Sequence, residues 1–176
     1  MTAGLAILQP APADLPALLP DLAAILLAAV EDGASVGFVL PFAQSEALAF
    51  WQGMAPAIAA GDRLLLVAHL DGRPVGTVQL VLAMPPNGRH RAEIAKLLVH
   101  PAARRRGIAR ALMLAAEAEA RRHCRTLLVL DTRTGDGAEA LYAGLGYALA
   151  GSVPDYAQAT DGRLAATSFM YKVLVE

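Results

Sequence analysis

The stretch EIAKLLVHPAARRRGIAR (Glu93–Arg110) decides the reading of this chain. Glu93 to Val99 is apolar enough for a buried strand, and His100-Pro101 marks a turn. Arg104-Arg105-Arg106-Gly107 then makes a basic loop that opens a helix. A strand feeding a glycine-bearing loop and a helix N-terminus suits a phosphate-bearing ligand. The first helical amides have no partner inside the helix, and the helix dipole places partial positive charge there. Three arginines add full charge beside that dipole, and Gly107 has no side chain to hold an anion away from the backbone.

Upstream of this stretch, Leu64–Leu70 and Val75–Ala83 are β-like and flank the turn Asp71-Gly72-Arg73-Pro74, which predicts a hairpin. Gly4–Gln9 reads as a short first strand. Asp14 then caps a helix to about Val30, with a kink or restart at Pro20. Glu31–Pro41 reads as a loop, and Gln44–Ala60 as an Ala-rich helix carrying Phe50 and Trp51, broken at Pro56. Downstream, Ile108, Leu112, Ala115 and Ala116 give a helix with one apolar side, ending near His123. Thr126–Leu130 is a buried strand with Asp131 at its end, and Ala138–Leu145 is a short helix. A strand runs from Gly146-Tyr147 to Val153, Pro154–Gly162 is a polar loop, and Leu164–Val175 is the last strand. Strands alternating with helices, flanked by hairpin-like strands, describe an α/β (α+β) fold: a mixed sheet with helices on both faces, one domain over residues 1–176.

Composition narrows the function classes. The chain is 56% hydrophobic and 18% charged, yet its longest apolar run, Leu22–Val30, is bracketed by Asp21 and Glu31-Asp32. Roughly 18 apolar residues are needed to span a bilayer, so no membrane association is expected. The first Lys or Arg is Arg63, which leaves no basic n-region for a signal or transit peptide. One cysteine, Cys124, cannot form an internal disulfide and fits a reducing cytoplasm; in His123-Cys124-Arg125 it reads as a helix-end residue and not as a nucleophile. The net charge of −1 conceals an asymmetry: residues 1–62 carry acids and no Lys or Arg, whereas residues 89–125 are strongly basic. That asymmetry suggests an anionic ligand at the basic pole. A pI near 6.4 and no aromatic platform argue against nucleic acid. The Walker string is absent, and His69 has no partner at metal-ligand spacing, so neither a P-loop nor a metal is expected.

Arg104-Arg105-Arg106-Gly107-Ile108-Ala109 matches R/Q-x-x-G-x-G/A, and on that run the chain resembles the GCN5-related N-acetyltransferase (GNAT) superfamily. Leu130-Asp131-Thr132 followed by AEALY (Ala138–Tyr142), then GSVPDY (Gly151–Tyr156) and DGRL (Asp161–Leu164), are most similar to the tabtoxin-resistance acetyltransferases. The resemblance implies the GNAT fold, a mostly antiparallel sheet of six to seven strands, with acetyl-CoA as co-substrate and a small-molecule amine as acceptor. It assigns Arg104 to Ala109 to the pyrophosphate and allows a homodimer. It also places Tyr142 near the sulfur as general acid, Glu93 and Asp131 in the acceptor site as candidate bases, and Asp155 and Tyr156 against the acceptor. Gly135 stands where many superfamily members carry an Asn, as it does in the tabtoxin-resistance subgroup.

The chemistry fits these residue types. An alkyl amine titrates near 10, so a carboxylate, directly or through water, is useful for removing its proton. An amide-rich pantetheine arm can pair with an open strand edge, for which Leu97, Leu98 and Val99 are the natural candidates. A phenol can give a proton to a departing thiolate. Structural alternatives stand beside each role. Tyr142 could simply anchor its helix, Glu93 could pair with Arg89 or Arg91, Asp131 could cap Thr132–Gly135, and Asp155-Tyr156 could lie on an exposed turn. The rival from another class is a non-catalytic acyl-CoA sensing module, which could dispense with Glu93, Asp131 and Tyr142. An acetyltransferase acting on protein N-termini is a further alternative.

Overall fold

The structure, a computed structural model, describes residues 4–174. Seven strands form one sheet: β1 (Leu5–Leu8), β2 (Arg63–Leu70), β3 (Arg73–Val81), β4 (Arg91–Val99), β5 (Leu127–Arg133), β6 (Ala148–Gln158) and β7 (Leu164–Val173). The order across the sheet is β1-β2-β3-β4-β5-β7-β6. Every neighbouring pair is antiparallel except β4 and β5. The helices are α1 (Leu15–Glu31), α2 (Gln44–Ala59), α3 (Ile108–Arg122) and α4 (Gly137–Gly144). The expected mixed, mostly antiparallel sheet is therefore observed. The Val175 end assigned to the last strand lies outside the described residues.

Two apolar cores sandwich the sheet. On one face Leu64, Leu66, Leu80, Ala92, Ile94, Leu128 and Leu130 pack against Ile108, Leu112, Met113 and Ala116 of α3 and Tyr142 and Leu145 near α4. On the other, Leu65, Val67 and Leu98 pack against Leu22, Ile25 and Leu26 of α1 and Ala47, Trp51 and Ile58 of α2. The two-residue alternation of strand side chains produces this division. Trp51 locks α2 to α1 by donating its indole N–H to the Leu22 carbonyl at 2.9 Å. Together with the short 3-10 turn before it, α1 spans Pro12–Glu31 and is long and apolar enough to cross a membrane by length and composition. It buries Leu22, Ala23, Ile25, Leu26, Ala29 and Val30 in the second core, as an interior helix does.

Some local expectations give way to packing. Pro20 and Pro56 lie inside α1 and α2, and neither helix ends at its proline. The Asp14 side chain makes no capping bond, because the 3-10 turn Pro12–Asp14 runs directly into α1 with Asp14 already helical. Asp131 sits within β5 instead of following it. The polar stretch from Pro154 is strand as far as Gln158. Its pairing with β7 jumps from Val153↔Thr167 to Ala157↔Ala165, so Pro154, Asp155 and Tyr156 bulge from the ladder. A bulge on an edge strand needs no N–H from the proline, which is how β6 absorbs a residue that otherwise ends strands.

Candidate active site

The site begins with a split in the sheet. The parallel ladder between β4 and β5 covers only Arg91–Glu93 against Leu127–Val129. Beyond it β5 continues on β7, leaving the rest of β4 without a strand on that side. A bulge in β4 sharpens the split. Pairing with β3 jumps from Gln79↔Ala95 to Thr77↔Leu98, and Lys96 takes the left-handed conformation (φ 50°). Thr77 Oγ1 donates to the Lys96 carbonyl at 3.0 Å and steadies the bulge. The extra residue reverses the alternation. Ala92 and Ile94 face the α3 core, whereas Leu98 faces α1 and α2.

The split opens into a cavity of about 600 Å³. Leu97, Leu98, Val99, Arg104, Arg105, Gly107, Ile108 and Ala109 all line it. Arg106 does not; it faces a second hollow with Arg73, Val75 and His100. The loop is shaped by its backbone, with Arg105 at φ 62° and Gly107, immediately before α3, at φ 75°. No heavy atom lies within 4 Å of where a Cβ on Gly107 would sit, so the approach to the first amides of α3 is open. Unpartnered amides, a helix dipole and two flanking guanidinium groups at such an opening fit a diphosphate.

Several lining residues were not anticipated. Ala29, Asp32, Gly33 and Ala34, where α1 ends, form one wall, and Arg133, Asp136, Gly137, Ala138 and Leu141 form another. Asp32 makes an ion pair with Arg104, whose Nε also donates to the Val99 carbonyl at 3.3 Å. Arg133 pairs with Asp136 at 2.8 Å. Only the end of a long apolar helix marks Asp32 in the sequence, and nothing local ties it to an arginine 72 positions away.

The α1/α2 face of the sheet carries the carboxylates. Glu93 lies between Ala92 and Ile94, and Asp131 next to Leu130; those apolar neighbours all point into the α3 core, so both acids point the other way. Phe169 is the cross-strand partner of Asp131 and shares its face, and Tyr156 packs edge-on against Phe169 at 5.2 Å. Asp155 and Tyr156, expected on a loop, belong instead to a bulge in β6, from which Tyr156 reaches Phe169. From the other side come Phe38 and Phe50, with Lys96 Nζ 5.8 and 5.4 Å from their ring centroids. Lys96 Nζ donates to the Val36 carbonyl at 2.9 Å. Burial, then the charge of Arg63, pulls the Lys96 ammonium below the ordinary lysine range, while Asp131 and Glu93 act in the opposite sense. None of Lys96, Phe38, Phe169 or Arg63 was singled out by sequence.

Tyr142 lies on the opposite side of the sheet, in the α3 core, with its ring 5.9 Å from that of Tyr147. Burial, then the charge on Asp131, pushes its phenol above the ordinary tyrosine range. It is a core residue within electrostatic reach of Asp131.

A sheet split beside an Arg-Gly turn at a helix entry is the architecture of the acyltransferases that draw on coenzyme A thioesters. The chain belongs to the Acetyltransferase (GNAT) family, whose profile matches residues 30–147. Acetyl-CoA is the co-substrate of that family. Among similar proteins, an uncharacterized N-acetyltransferase from the hisH-hisA intergenic region of Azospirillum brasilense is 36% identical over 107 residues, 60% of this chain and 62% of that protein. The match thus spans less than two thirds of that relative's length. The ribosomal-protein-alanine N-acetyltransferase of Brucella melitensis has the same fold, with a TM-score of 0.78 and 29% identity over 96% of this chain and 99% of that one. A phosphinothricin acetyltransferase from Sinorhizobium meliloti, solved with acetyl-CoA, superposes with a TM-score of 0.76 at 20% identity, covering 99% and 89% of the two chains, and shares the fold.

Proposed function

We propose that this protein is an acetyl-CoA-dependent N-acetyltransferase acting on the primary amine of a small molecule, by direct attack in a ternary complex. The observation that carries the reading is the split itself. It has an anion cradle at its mouth on one side of β4 and two carboxylates, Glu93 and Asp131, on the α1/α2 face. The free β4 edge at Leu97–Val99 pairs with the amides of the pantetheine arm, and Arg104, Arg105 and the Gly107 turn hold the diphosphate. Acetyl-CoA supplies the activated acyl group as a thioester. Glu93 or Asp131 takes the proton from the acceptor ammonium, directly or through water. Tyr142, protonated at neutral pH, acts as general acid: it gives its proton to the departing thiolate and regains one from solvent. An amino acid-like toxin or antibiotic is the acceptor class that the GSVPDY and LDT motifs suggest, and the lone exposed Cys124 suits a cytoplasmic setting. Leu149 and Val153, exposed on the edge strand β6, suit a homodimer, which a monomeric mass in sedimentation would rule out.

A second reading, transfer to a protein acceptor, has one observation in its favour: the 29% identical Brucella relative is named a ribosomal-protein-alanine N-acetyltransferase. Both are tested by thiol release from acetyl-CoA against amino acid-like toxins, aminoglycosides, polyamines and N-terminal peptides. Release with one class names the acceptor. Silence across the panel, with acetyl-CoA binding shown by calorimetry, turns the reading to a sensing module. Absence of binding removes the role given to Arg104–Ala109. Tyr142→Phe should lower turnover with acetyl-CoA affinity little changed, and unchanged turnover removes Tyr142 from the chemistry.

A further inference from the structure

The cradle for the diphosphate already holds an anion of the protein's own. The Asp32 carboxylate lines the cavity with Arg104, Arg105 and Gly107, and it makes an ion pair with Arg104. Nothing local favours a carboxylate there. Asp32 follows the last residue of α1, where the helix dipole presents its negative end and Glu31 adds a second acid. What offsets that placement is the guanidinium of Arg104, 72 positions along the chain. Arg104 Nε is turned to the Val99 carbonyl at 3.3 Å, and Nη1 donates to Asp32. A diphosphate at the head of α3 calls on the same guanidinium and meets the carboxylate as a like charge. Asp32 also begins the connection between α1 and α2, which runs past Lys96 on β4 to Thr160 in the β6–β7 turn. Val36 accepts from Lys96 Nζ at 2.9 Å, Phe38 packs against Phe50 with ring centroids 5.5 Å apart, and the Leu40 N–H donates to the Thr160 carbonyl at 2.8 Å. One carboxylate therefore joins the anion cradle to the wall of the acceptor face.

We propose that Asp32 is a positioning residue that competes with acetyl-CoA for Arg104 and passes the occupancy of the cradle to the acceptor wall, a step that rests on the transferase reading's placing of the diphosphate at Arg104. In the free protein Asp32 stands in for the ligand's negative charge and ties the start of the connection to the loop before α3. When the diphosphate takes the Arg104 guanidinium, Asp32 is left between the negative end of α1 and a doubly charged ligand. Repulsion from both sides drives it out of the cavity, and the connection loses the first of its three ties. The ties at Val36 and Leu40 remain, so the wall loosens and does not come away.

The first measurement follows hydrogen exchange at residues 36–40 of the wild type, with and without acetyl-CoA. Binding should quicken it by about threefold or more, because losing one tie lowers the cost of local opening, whereas a ligand that only fills the cavity would slow it. Asp32→Asn removes the competitor. Acetyl-CoA should then bind about fivefold more tightly by calorimetry, and exchange at residues 36–40 should be fast with the ligand or without it. Asp32→Glu keeps the charge and should retain much of the wild-type response. Asp136→Asn separates the tie from the general charge of the cavity. It takes a carboxylate from the same lining, one paired with Arg133 and not with the connection, so residues 36–40 should still respond to acetyl-CoA as in the wild type. Exchange that acetyl-CoA slows or leaves unchanged in the wild type, or an Asp32→Asn that binds acetyl-CoA no more tightly, overturns the role of Asp32 and leaves the transferase reading standing. A wild type that does not bind acetyl-CoA removes both.

Discussion

The pocket at the head of α3 and the wall above the carboxylates are made of different materials. The pocket leans on backbone: two left-handed residues, Arg105 and Gly107, turn the amides of α3 toward an opening, and the stretch from Leu97 to Arg110 supplies half of its lining residues. The wall is side chain. Phe38, Phe50, Arg63, Gln79, Glu93, Lys96, Asp131, Tyr156 and Phe169 reach it from eight different segments. A site read by backbone can change only if its loop changes shape, so it serves a ligand that stays the same. A site read by side chains can be respecified one substitution at a time. Damage to the pocket should therefore appear in acetyl-CoA affinity, and damage to the wall in turnover and acceptor choice.

The largest expected effect comes from the wall. General-base removal lowers rates by about 10²–10⁴-fold, and of Glu93→Gln and Asp131→Asn one should lose kcat on that scale. The other should raise acceptor KM with a smaller loss of kcat, because it positions the amine and takes no proton. Calorimetry should give both variants the wild-type affinity for acetyl-CoA. If either loses that affinity, the separation between wall and pocket is not real. If both keep kcat within about twofold, no carboxylate on this face acts as base.

The converse experiment strikes the pocket. Gly107 holds φ 75°, a conformation that costs a side-chain-bearing residue roughly 1–2 kcal/mol, and the space beside it is free of protein. Gly107→Val carries that strain and also places methyl groups where the diphosphate would approach the α3 amides. Acetyl-CoA affinity should fall about tenfold or more, with acceptor KM at saturating acetyl-CoA unaltered. A fall in both constants would mean that the loop shapes the two regions together. That coupling has a route, since Arg104 in the loop pairs with Asp32 at the end of α1, just before the segment that carries Val36 and Phe38.

The same contrast explains what the sequence disclosed. A backbone site leaves its trace in a short run, because the strand, the glycine and the helix start must follow one another closely. Arg104 to Ala109 could therefore be read directly, apart from Arg106, whose side chain turns to a different hollow for reasons no motif encodes. Glu93 and Asp131 were legible because a carboxylate within an apolar strand run is conspicuous. Lys96 was hidden by the bulge: strict alternation gives it the face of Ala92 and Ile94, and only a left-handed residue within β4 breaks that parity. Phe169 was hidden because cross-strand register with Asp131 is a property of the assembled sheet. Pro154 misled the reading of β6, since a proline ends a strand unless a bulge removes the demand for its N–H, and bulges leave little trace in sequence.

Tyr142 tests where the boundary between the two regions falls, through the smallest effect. Its phenol and that of Tyr147 are both held above the ordinary tyrosine range, chiefly by burial, with Asp131 adding to the first and Glu117 to the second. In the unfolded chain both phenols would lose their protons near pH 10, while the folded protein keeps them. Below that pH the two states bind the same protons at these groups, and their stabilising contribution is complete. Above it the unfolded state holds fewer protons, so stability falls as pH rises, by about 1.4 kcal/mol per pH unit for each phenol. Urea unfolding between pH 9 and about pH 11.5 should show this fall, offset in part by Lys96, whose lowered ammonium acts in the opposite sense, and Tyr142→Phe should make the fall shallower. An undiminished slope would mean that the Tyr142 hydroxyl is open to water on the acceptor side, and the residue would then belong to the wall and not to the core beneath α4.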